Sequence, residues 1–103
     1  MTWYAYFAYF FAGAFLTNGV PHFTHGIAGK RFQSPFASPP GVGESPPLVN
    51  TLWGLGNFLI GYVLIFRVGD FSFGLTRSAA MAGLGVLVTS IVLSLYFERV
   101  HSR

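Results

Sequence analysis

The 103-residue chain has no cysteine, which excludes disulfides and thiolate metal sites. Charge is scarce as well: 9% of residues are Asp, Glu, Lys or Arg, where a soluble domain carries about a quarter. The surplus of three basic residues over acidic ones is too small and too dispersed to form a nucleic-acid surface. Catalytic signatures are missing too, with no nucleophile elbow, no HExxH and no buried carboxylate pair. The GVG at 41–43 neither follows a strand nor precedes a phosphate-binding lysine, so it is no nucleotide loop. A non-enzymatic role is the expectation.

Apolar matter takes the place of charge, at 52% hydrophobic and 18% aromatic residues. The charged residues gather at Lys30, Arg31 and Glu44, at Arg67, Asp70 and Arg77, and at Glu98, Arg99 and Arg103. Runs 1–29, 45–66 and 78–97 are left uncharged. A helix rising 1.5 Å per residue needs about 20 residues to cross roughly 30 Å of hydrocarbon, and each run supplies them. No period-two alternation points to a barrel. The expected fold is therefore an all-α membrane protein of one domain, with three transmembrane helices over about 3–20, 46–68 and 79–97. A long Pro-, Gly- and Phe-rich loop, 21–45, joins the first two.

Asn18-Gly19 followed by Pro21 reads as the end of helix 1, leaving His22 and His25 just beyond it. Ser45 suits the N-cap of helix 2 with Pro46 at its first position, and Ser78 suits the N-cap of helix 3. The tail ERVHSR is too short to fold alone. A loop this long is usually functional or disordered. Its phenylalanines (Phe23, Phe32, Phe36) and the pair Lys30 and Arg31 favour an ordered segment on the membrane surface, with the two cations at lipid phosphates.

Three constellations could carry chemistry. Asn50, Gly54, Asn57 and Gly61 recur at helical spacing and form one polar, small-residue face; Ala80, Gly83, Ser90 and Ser94 do the same on helix 3. Such faces suit close helix packing. Asn57 and Ser90 lie at similar depth, and Asn57 is expected to bond Ser90 or Thr89 across an interface, or else to line a polar path. No ionisable residue sits beside them to drive ion coupling. The second constellation is His22, His25 and His101 with Glu44, whose donors suit a divalent metal or haem, although no cofactor is required by the sequence. The third, a serine nucleophile or histidine base, lacks any supporting motif.

The runs NGVPHFTHGIAGKRFQSPF (18–36) and ESPPLVNTLWGLGN (44–57) resemble small bacterial membrane proteins of an uncharacterised family. That resemblance implies a bacterial inner-membrane location and assigns no activity. Four basic residues on the side of the long loop and C-terminus, against two on the other, place the loop in the cytoplasm and the N-terminus outside. The functional expectation is a protein acting by association in the bilayer, as a homo-oligomer or as an accessory subunit. A small oligomeric transporter or channel, and a metal or haem protein, are the alternatives.

Overall fold

A computed structural model of the chain describes residues 2–102. Three helices dominate: α1 (Trp3–Ile27), α2 (Pro47–Phe66) and α3 (Arg77–His101). Two short strands, β1 (Phe32–Gln33) and β2 (Glu44–Ser45), pair antiparallel in the connection between α1 and α2, with Phe32 opposite Ser45. By length and composition α2 and α3 can cross a membrane; α1 does not meet the same test. Its tyrosines, its glycines, Asn18 and His22 dilute the apolar run.

Helix α1 is the centre of the fold. It packs against both α2 and α3, which hardly touch one another. The reason lies in where side chains are missing. Along the α1–α2 seam, a Cβ on Gly54 would come within 2.7 Å of Phe23, and one on Gly19 within 2.9 Å of the Gly54 carbonyl. Along the α1–α3 seam, Gly13 abuts the Ala82 backbone and Gly85 abuts the Phe10 carbonyl. Such bare backbone lets helices approach closely, where dispersion contacts are densest. Tyr9, Ala5 and Ala12 of α1 are fully buried, Tyr9 and Ala5 beside Gly69 of the segment between α2 and α3.

Several element ends differ from the sequence expectation. The break expected at Asn18-Gly19-Pro21 does not occur, and α1 continues for two further turns. Proline removes one donor from the ladder, but the expected stop residues are held in the seam with α2, where Asn18 Nδ2 donates to Asn57 Oδ1 and Gly19 packs against Phe58 and the Gly54 carbonyl. The helix stops instead at Gly29, whose φ of +73° suits a residue without Cβ. There Gly29 N–H bonds Gly26 O and Lys30 N–H bonds His25 O, the paired bonds of a Schellman end.

Ser45 is not the N-cap of α2. It lies in β2, and Pro46 takes the cap position with Pro47 at N1. Helix α3 is capped by Thr76, whose Oγ1 accepts from Ala79 N–H, while Ser78 is buried and bonded to the Ser72 backbone. The tail does not stand apart, because α3 runs on through His101.

The two ends of the molecule differ. The β1–β2 connection meets the last turns of α3 at one end, where Tyr96 Oη donates to Gly41 O (2.7 Å) and His101 bonds Gln33 (2.8 Å). At the other end the α2–α3 connection folds over the start of α1, with Phe71 edge-on to Tyr9 at 5.1 Å.

Candidate binding cleft and its polar network

Asn50 sits in the first turn of α2 with 0% exposure. Its Nδ2 donates to the carbonyls of Phe32 (3.0 Å) and Ser45 (3.1 Å), tying both strands to the helix. With the amide nitrogen committed to carbonyls, Oδ1 must be the atom facing His22 Nδ1, 2.8 Å away. His22 therefore carries its proton on Nδ1, and a neutral ring keeps its lone pair on Nε2. One α2 side chain thus joins α1, β1 and β2.

One and two turns further along the same face of α2, Gly54 and Asn57 are also buried, and Gly61 follows. Asn57 does not pair with Ser90. Its Oδ1 accepts from Asn18 Nδ2 at 3.0 Å, and its own Nδ2 donates to Trp53 O at 2.8 Å. Since α2 and α3 lie against different sides of α1, the face of α2 meets α1 rather than α3. Ser90 Oγ bonds Val86 O in its own helix, and Ser94 Oγ likewise bonds Ser90 O. Gly83 and Ser94 are exposed, and the seam of α3 is formed instead by Ser78, Ala82 and Gly85.

The three histidines surround Phe32. Its ring lies 4.1 Å from His25 in a stack, 5.4 Å from His22 and 5.8 Å from His101, with Phe97 at 4.7 Å. Each imidazole has a hydrogen-bond partner: Asn50, the Pro21 carbonyl and Gln33 respectively. Among the described residues no three His, Asp or Glu side chains are grouped to hold a metal ion. Lys30 and Arg31 are exposed at the same end, and Arg31 donates to the Glu44 carbonyl at 3.2 Å.

Above this aromatic floor lies a cavity of about 450 Å³ in the gap between α2 and α3, with α1 at its back. Among the described residues, no charged one lines it. Its walls include Asn18 and His22 of α1, Trp53 of α2, and Tyr96 and Phe97 of α3, with Gln33 and Ser34 from the connection. The indole N–H of Trp53 is buried and has no partner. Leaving such a donor dry and unpaired costs about 1–3 kcal/mol.

No family model, curated protein or solved structure matches the chain. The reading of the cleft consequently rests on its own geometry.

Asn18, Gln33, Ser34, Trp53, Tyr96 and Phe97 were not singled out by sequence reasoning as members of one site. For Asn18 a signal existed, since it lies one turn before His22 on the same helix, four residues apart. The others come from the connection and the far end of α3, and only the tertiary fold brings them together.

Proposed function

We propose that the chain is an integral protein of the bacterial inner membrane, crossing three times, and that it acts without catalysis by associating with copies of itself or with another membrane subunit. The observation that carries this reading is the surface of α3. Almost none of its apolar window is covered, and Leu84, Leu87, Ile91 and Leu95 stand exposed along it. Leu48, Leu52, Leu55 and Leu59 do the same on α2. Soluble monomers rarely expose apolar patches beyond a few hundred Å², whereas a bilayer or a partner helix covers such a surface without cost.

Support for α1 as a third span is its length: 25 residues reach roughly 37 Å. Its packing between two membrane-competent helices would also shelter its polar groups from lipid. The connection carrying Lys30 and Arg31 then shares the cytoplasmic side with the end of α3.

Single cysteines test the topology on a chain that has none. Ser34 is a poor labelling site because it is buried and bonded to Ser45, so the exposed positions Thr2, Ala28 and Ser72 serve. Thr2→Cys and Ser72→Cys should react with an impermeant maleimide from outside, and Ala28→Cys only after the membrane is opened. Reaction of Thr2→Cys and Ala28→Cys from one side would show that α1 does not cross. Native mass spectrometry in mild detergent reads the association: a clean multiple or a partner chain is expected, and a bare monomer at all detergent ratios refutes it.

A further inference from the structure

The polar network between α1 and α2 is saturated, but the cavity beside it is not. We infer that this cavity binds an uncharged, planar conjugated compound dissolved in the bilayer, which enters between α2 and α3. The inference rests on the membrane-embedded reading given above. Four observations support it.

Among the described residues the lining holds no Asp, Glu, Lys or Arg, so a charged ligand would be stripped of water with nothing there to pair with. A neutral molecule has no such penalty. Trp53, Tyr96, Phe97 and His22 present four rings around the space, a wall suited to a flat conjugated body. The volume of about 450 Å³ falls within the range of small-molecule sites.

Finally, α2 and α3 hardly touch, which leaves the gap open along the side of the molecule. In a bilayer that side faces hydrocarbon, so the ligand arrives from lipid rather than from water.

The chain supplies its own reporter. It has two tryptophans, Trp3 at the far end of α1 and Trp53 in the cavity. In a Trp3→Phe background, Trp53 fluorescence in lipid nanodiscs is titrated with menadione, a neutral naphthoquinone. Saturable quenching at one equivalent per chain is expected. The companion Trp53→Phe protein, reporting from Trp3, should show only linear collisional quenching.

Val92→Phe fills the cavity from α3 and should weaken the apparent affinity by at least about tenfold. Leu95→Phe, outside the cavity lining, should leave it unchanged. Far-ultraviolet circular dichroism confirms that each variant retains its helices. Linear quenching of Trp53, or equal affinity in Val92→Phe, overturns the proposal. So does equally strong displacement by dodecanol, which would make the occupant an acyl chain. Cysteine accessibility in the same preparation separates this failure from failure of the three-span reading.

Discussion

Replacing Asn50 with leucine removes the bond from His22 and the two bonds to the Phe32 and Ser45 carbonyls, while preserving bulk at a fully buried position. At about 1 kcal/mol net per hydrogen bond, the loss is about 3 kcal/mol. Most of it should fall on the attachment of the connection, because α1 and α2 retain their glycine seam and the Asn18–Asn57 bond. A change of about 3 kcal/mol shifts the ratio of docked to released connection by roughly 150-fold. Hydrogen exchange followed by mass spectrometry reads this directly. Gly41 N–H, held by Ser34 O, should lose about two decades of protection, while amides in the middle of α2 keep theirs. The double variant with His22→Ala should cost less than the sum of the two single ones, since they share a bond. Unchanged protection at Gly41, or equal loss in mid-α2, would refute the claim that Asn50 is the tie between strands and helix.

Two other perturbations probe the seams. Gly54→Ala drives a Cβ against Phe23 and should destabilise the fold by about 1–3 kcal/mol. Gly56→Ala, two residues on with nothing within 4 Å of its Cβ, should be neutral or slightly stabilising in a thermal melt; equal effects would show that the seam is not close-packed. Asn57→Leu and Asn18→Leu, combined in a double-mutant cycle, should couple by about 0.6 kcal/mol and by no more than about 1.7, the range of such bonds in membranes. Zero coupling in detergent-resistant unfolding would remove the bond from the account.

The three helices could be read from the sequence because charge is absent from three runs of the right length, and the 4–3–4 spacing of Asn50, Gly54, Asn57 and Gly61 defines one face of α2. What that face meets could not be read. Spacing gives a direction around one axis but says nothing of which neighbour lies there, and so it cannot tell Ser90 from Asn18, the residue that Asn57 bonds. Helix ends were misplaced for a local reason. Asn18-Gly19 and Pro21 carry strong stop signals, yet Asn18 and Gly19 are taken up by packing against α2, and the true stop at Gly29 carries the glycine that a Schellman end favours. On α3, Gly83 and Gly85 differ by only two residues, and the sequence offers no means of telling which one faces α1. The cavity was the least visible feature, as its walls come from four stretches of chain held together by single bonds such as Tyr96 to Gly41.

The position of α1 between two helices that hardly touch makes it the element on which both others depend. The hub is also the helix that does not meet the length-and-composition test for a membrane span. Gly54 and Asn57 of α2 cover its Gly19 and Asn18. Helix α3 lies along the opposite seam, where Gly13 and Gly85 meet bare backbone. A chain stalled before α3 would keep its Asn50 tie, but Gln33 would lack His101 and Gly41 would lack Tyr96. Helix α3 is thus the one that completes the cleft, and a chain that lacked it would have no site to fill.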